Sequence, residues 1–204
     1  MKKIFCLTIL LVLVTSAVCA AGPLPDCSLG QVALDLNLSA PDLSGSKKVD
    51  GKKNVGYGVT AGIGFGFAGQ YTYNDFKTKT SLNGSSEIKA QQICLVDNLI
   101  DTLVNVSVFG GVSQTQAVGS SQHNGVVVGV AANVPITSST KAYGVLSTGN
   151  RVSGYEIGLS YELAKNTDLN IGYRDTKYKD ITFSDSTKSD VTAKGVVGGV
   201  TFKI

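Results

Sequence analysis

The feature that most constrains this chain is a strict two-residue alternation of apolar and polar side chains, clearest in Gly154 to Tyr173, GYEIGLSYELAKNTDLNIGY. Tyr155, Ile157, Leu159 and Tyr161 alternate with Glu156, Gly158, Ser160 and Glu162, and the pattern resumes in Leu169, Ile171 and Tyr173. Successive side chains of a β-strand point to opposite faces, so each run makes a strand with one apolar and one polar face. The polar stretch Ala164 to Asn166 reads as a tight hairpin connection. That connection predicts a register in which Ile157 faces Tyr173, Leu159 faces Ile171, Tyr161 faces Leu169, Glu156 faces Arg174 and Ser160 faces Asn170. Both faces then match at once, which pins the register. The polar face is small and glycine-bearing, as expected of a curved sheet whose polar side looks inward.

The chain opens with Lys2 and Lys3, an apolar run from Ile4 to Val14, and small residues ending at Ala20 and Ala21. This is the pattern of a secretory signal peptide over residues 1–20, leaving 21–204 as one domain. The apolar run is too short to span a bilayer as a helix, which needs about 20 residues. Val18, where a lipobox carries a small residue, points away from lipidation at Cys19 and toward ordinary cleavage near Ala20. The formal net charge is only +3, two of which leave with Lys2 and Lys3, so no basic field argues for nucleic acid. Yet 43% of the residues are hydrophobic, with 24 glycines and no tryptophan. Apolar residues dispersed in alternation rather than in blocks are the texture of a transmembrane barrel.

The same alternation divides the remainder into about ten strands, with eight as the alternative count. The first runs from about Gly30 to Ser39, followed by a long polar loop, Pro41 to Asn54. Val55 to Phe67 sets Val55, Tyr57, Val59, Ala61, Ile63, Phe65 and Phe67 against Gly56, Gly58, Thr60, Gly62, Gly64 and Gly66, and a turn is expected at Ala68 and Gly69. Those glycines lack the strand-to-helix setting of a phosphate loop and instead permit close packing across a narrow interior. Further strands follow over about 70–79, 87–96, 102–114, 125–135 and 140–147, and the last from Val191 to Ile204. Connections alternate between longer polar and brief ones, the rhythm of an outer-membrane barrel. An even count lets the last strand pair with the first, and closure matters because lipid cannot satisfy an open edge.

Leu169 to Arg174 (LNIGYR) and the terminal Val196 to Ile204 resemble the closing strands of the small bacterial outer-membrane β-barrels, the OmpX-like and opacity-type proteins and the YfaZ-like group. The resemblance implies a closed antiparallel up-and-down barrel in the bacterial outer membrane, in contact with outer-membrane lipid and lipopolysaccharide, monomeric, and without a cofactor. It implies delivery by the barrel assembly machinery through the C-terminal strand. Such strands typically end in an aromatic residue; here Ile204 is last and Phe202 stands two before it. Tyrosines and phenylalanines also fall toward strand ends, Tyr161, Phe65, Phe67, Tyr71 and Phe202 near the brief turns and Tyr57, Tyr155 and Tyr173 near the long loops, as two interfacial girdles would.

Chemistry is sparse. The only histidine, His123, lies at an expected loop tip, with no nucleophile and base paired around it. No cluster has metal-ligand spacing, and Asp180, Asp185 and Asp190 are weak for calcium. No catalytic or metal-binding residue is therefore expected. Glu156 and Arg174 form the candidate lumen charge pair, either setting conductance or satisfying two inward charges. Cys27 and Cys94, both expected at the brief-turn rim, are a candidate disulfide in an exported chain. The functions that remain are structural support, surface interaction or narrow passage; a loop-mediated adhesin and a soluble secreted β-sandwich are the alternatives.

Overall fold

The computed structural model describes residues 28–45 and 48–204, with backbone alone at Lys48–Asp50. The signal segment and Cys27 lie outside the described residues. The elements are β1 (Val32–Ser39), β2 (Asp42–Ser44), β3 (Lys48–Asp50), β4 (Asn54–Gly64), β5 (Phe67–Leu82), β6 (Ser85–Asp101), β7 (Asn105–Ala117), β8 (His123–Pro135), β9 (Thr140–Gly149), β10 (Val152–Ala164), β11 (Thr167–Thr182) and β12 (Lys188–Lys203). Ten of them form one antiparallel sheet, from β1 through β4 to β12 in chain order, and β1 pairs with β12 to close it. Mutual hydrogen bonds between Val32 and Ile204 seal the seam at the terminus. The fold is thus a closed barrel and not a two-sheet sandwich.

The β10–β11 hairpin has the register read from its sequence, including Glu156 opposite Arg174 and Leu159 opposite Ile171. Its apolar residues face outward, Ile157 being 58% exposed, while Glu156 is fully buried inside. Along β10 the outward apolar run from Tyr155 to Leu163 spans about 20 Å of barrel height at the usual tilt of such strands, matching an apolar band of about 25 Å.

Three expectations are corrected. The turn after β4 falls at Phe65 and Gly66, not at Ala68 and Gly69, because Gly64, Phe65 and Gly66 all take positive φ (96°, 58° and 86°). The apolar alternation runs straight through that turn and hides it. The polar stretch expected as a long loop holds the β2–β3 hairpin, which pairs with the upper part of β12 and reaches β5 through a Gly51–Thr78 bridge. It fills the space above β1 and β4, whose 8 and 11 residues fall short of the 16 in β5 and β12. Tyr71 belongs to the long-loop side: it clusters with Tyr57 and Tyr73, and its hydroxyl donates to Gln91 Oε1 at 3.0 Å.

The longest strands also change character along their length. On β5, outward Tyr71 and Tyr73 give way to Asp75, Lys77 and Lys79, while inward Gln70, Thr72 and Asn74 give way to Phe76 and Leu82. On β11, outward Ile171 and Tyr173 give way to Asp175 and Lys177, and inward Asn170 and Arg174 to Tyr178 and Ile181. Below this boundary these two strands are apolar outside and polar inside, whereas β6–β9 line the interior with Val96, Phe109, Val127, Ala131 and Val145; above it β5 and β11 invert to the pattern of a water-soluble sheet. The upper part is a head whose interior is filled by Leu43, Phe76, Leu82, Ile88, Tyr178, Ile181, Phe183 and Val191, in one apolar cluster with Val96, Phe109 and Val127 lower in the barrel. Inward polarity therefore holds only for the lower part of the barrel and there only on part of the wall, including β1, β5, β10 and β11.

Candidate functional site

Glu156 and Arg174 project from neighbouring strands into the interior just below the apolar head. Arg174 Nε donates to Glu156 Oε2 at 2.8 Å. A buried charge is tolerable only when paired and hydrogen-bonded on its other atoms as well. The second oxygen, Glu156 Oε1, accepts from the Tyr143 hydroxyl at 2.8 Å. Arg174 Nη1 donates to Asn74 Oδ1 at 3.1 Å. Since Asn74 lies on β5, separated from β11 around the wall by β12, β1 and β4, the guanidinium crosses the lumen. The four side chains form a polar bar from β9 through β10 and β11 to β5. One layer higher, the rings of Phe76 on β5 and Tyr178 on β11 meet at 5.7 Å, repeating the crossing with apolar groups.

Tyr143 was not singled out by sequence reasoning, yet a signal existed. Gly158 and Gly172 face each other in the β10–β11 pair at inward positions, leaving a bare patch of wall, and Tyr143 lies opposite Gly158 on β9. The tyrosine ring covers both glycines. A Cβ on Gly158 would stand 2.4 Å from the Ile171 carbonyl oxygen and 2.6 Å from Tyr143 Cζ. Gly158→Val is therefore expected to destabilise the barrel by about 1–3 kcal/mol through overpacking, read as a lower denaturant midpoint for loss of the compact band on unboiled gels. The inward glycines of β4 work similarly: a Cβ on Gly56 would meet the amides of Asn74 and Asn37.

Below the bar, Thr201 donates to Asp35 and accepts from Asn170 Nδ2 at 2.8 Å, while Lys203 pairs with Asp168 at the lower rim. The space between Asp35, Asn37, Thr72, Asn74 and Arg174 amounts to about 10 Å³, room for about one water. Cys94 is buried on the inner face of β6, opposite Gln70 and Gly111.

Hydrogen bonds tie the head together at its top. Ser85 Oγ donates to the Val118 carbonyl at 2.9 Å, and the Ser184 N–H donates to Ser85 Oγ at 3.3 Å, linking three connections around the rim. His123, expected at a solvated loop tip, instead begins β8 half-buried and meets β11 above the short β9–β10 turn. Its Nε2 accepts from the Thr182 N–H at 3.3 Å and contacts Thr182 Oγ1 at 2.9 Å. Accepting a backbone N–H requires Nε2 to be unprotonated. Burial, with Arg151 and Lys188 nearby, holds the imidazole below its ordinary value. A depressed folded-state value means the unfolded chain takes the proton first. The latch then contributes fully above the ordinary value of 6.5 and is lost as pH falls below it. Trypsin cleavage of the β11–β12 connection, measured relative to an unstructured control peptide at each pH, is expected to rise between pH 7 and pH 5, and His123→Gln is expected to flatten that dependence.

An antiparallel barrel with a lipid-compatible belt, two aromatic zones and an ion-paired interior defines a transmembrane β-barrel protein. The sequence matches the outer membrane protein beta-barrel domain family over residues 10–203, and the chain belongs to that family, whose members reside in the bacterial outer membrane. Among solved structures, the chain is similar to Neisserial surface protein A, with a TM-score of 0.51 at 16% identity over 86% of this chain and 99% of that one. It is also similar to the outer membrane protease OmpT from Escherichia coli, with a TM-score of 0.53 at 7% identity over 91% and 100%. At those identities the likeness is one of fold. No curated protein matches the sequence significantly.

Proposed function

We propose that this protein is a non-enzymatic, closed outer-membrane barrel that anchors a folded β-sheet head at the cell surface, serving envelope integrity or surface interaction rather than passage. The observation that carries this reading is the double crossing of the lumen by the Tyr143–Glu156–Arg174–Asn74 bar and the Phe76–Tyr178 layer above it. A polar interior alone fits a pore, but an apolar core continuous with it above is unfavourable for ions and water. The non-enzymatic reading is supported by His123 being engaged with Thr182 and by the interior charges being bonded to one another. On this reading the head, which carries the long strand extensions, faces outward. The terminal strand β12 is the segment that the assembly machinery would read, Phe202 standing outward near its end, and the barrel works as a monomer.

The test is single-channel recording in planar bilayers with protein whose folding is verified by heat-modifiable gel mobility. A folded, silent barrel is the expected result. Discrete currents from the folded protein would overturn closure and restore the narrow-channel reading, with Glu156 and Arg174 as its constriction.

A further inference from the structure

Two inward glycines of β4 leave a trough in the polar part of the lumen. Gly58 lies between Asp35 on β1 and Thr72 on β5, and Gly56, one layer higher, lies between Asn37 and Asn74 on the same two strands. The flanking side chains lean over the glycines. A Cβ on Gly58 would stand 3.4 Å from Asp35 Oδ2, and one on Gly56 would stand 2.6 Å from Asn37 Oδ1 and 2.5 Å from Asn74 Oδ1. All four flanking residues are only 6–7% exposed, and they border the space of about 10 Å³ below the bar. The oxygens around that space lack donors. Asn37 Oδ1 and Thr72 Oγ1 have no hydrogen-bond partner among the described residues, and Asp35 is bonded only through Oδ1, to Thr201. A buried acceptor without a donor is costly, so the space is built for an occupant.

Charge decides which occupant. The buried carboxylates among the described residues are Asp35, Glu156 and Asp168. Arg174 holds Glu156 and Lys203 holds Asp168, whereas Asp35 has no ion-pair partner among the described residues. A water in the space would donate to two of the oxygens but leave Asp35 a desolvated, unbalanced charge; a cation supplies both the missing coordination and the missing charge. Arg174 also borders the space, but Glu156 neutralises it, so the net local charge is that of one carboxylate. One carboxylate, two amides and a hydroxyl are an all-oxygen set, which suits a hard cation rather than a metal that seeks thiolate or imidazole. We infer that Asp35, Asn37, Thr72 and Asn74 form a binding site for one monovalent metal cation, sodium being the probe, which clamps β1 to β5 across the glycines of β4. The ion is a structural part of the lumen, and the site is independent of whether the barrel serves envelope integrity or surface interaction.

The experiment uses the full mature chain folded in vesicles of neutral phospholipid at neutral pH, with sodium chloride exchanged stepwise for tetramethylammonium chloride so that ionic strength, and hence screening, stays fixed. The readout is the thermal midpoint for loss of the β-sheet circular dichroism. The wild-type midpoint is expected to rise with sodium, as binding to the folded chain alone requires. Asp35→Asn removes the charge while leaving Thr201 an acceptor, and is expected to abolish the rise. Asp175→Asn, at an outward carboxylate of β11, is expected to retain it. Thr72→Val, which removes one oxygen, is expected to need about tenfold more sodium for the same rise. No rise in the wild type would overturn the assignment, by showing that the space holds water or that Asp35 holds a proton. A rise that survives Asp35→Asn, or that is lost equally in Asp175→Asn, would also overturn it, by placing the sodium effect elsewhere. If Asp35→Asn fails to fold, Thr72→Val carries the comparison, and an unchanged sodium requirement there would sink the site.

Discussion

Arg174→Met is expected to destabilise the folded barrel by about 3–5 kcal/mol, because it leaves Glu156 as an uncompensated charge in a fully buried position. The same change strips Asn74 of a donor across the lumen. Replacing both partners, as Glu156→Leu with Arg174→Met, is expected to recover most of that loss, since an apolar pair needs no desolvated charge to be balanced. Tyr143 limits the recovery, because its hydroxyl then lacks the acceptor that it now uses. Urea unfolding of the wild type, both single variants and the double variant in vesicles closes the cycle. A double variant as unstable as the Arg174 single would show that the bar matters for its geometry rather than for charge neutralisation.

Phe183→Ala is expected to cost about 3–5 kcal/mol as well, but in a different part of the molecule. Phe183 is fully buried under the rim, among Leu82, Ile88 and Ile181, and its N–H donates to the Thr187 carbonyl at 2.9 Å. The head lies beyond the lipid belt, so its core is held by the hydrophobic effect in water and not by the bilayer. Loosening it should leave the membrane-embedded strands folded. The compact band on unboiled gels is expected to persist while trypsin cuts at Lys179 and Lys188 much faster than in the wild type. Simultaneous loss of the band and of protease resistance would mean that head and barrel unfold as one unit.

Much of the fold was legible because β-structure encodes its faces locally. The alternation of Tyr155, Ile157, Leu159 and Tyr161 against Glu156, Gly158 and Ser160 specified a strand, its lipid-facing side and, with the mirrored run from Leu169 to Tyr173, the register of the hairpin. The turn at Phe65 and Gly66 was misplaced because both sides of it continue the same apolar phase, so nothing in the hydropathy marks where the chain reverses. The β2–β3 hairpin was hidden for the opposite reason: three-residue strands are too short for a period to register.

The sequence by itself determined that this chain alternates, closes into about ten strands and carries an apolar belt suited to lipid, because each of those properties is a pattern between near neighbours. Only the tertiary structure decided that the lumen is crossed, that Tyr143 covers the Gly158–Gly172 gap, that His123 joins β8 to β11, and that the inner faces of β5 and β11 turn from polar to apolar above Asn74 and Arg174. Those contacts join residues far apart in the chain, Asn74 and Arg174 being 100 positions distant. Which inward side chains meet depends on the curvature of the closed wall and on which strands end early, and neither is written in any local run of residues.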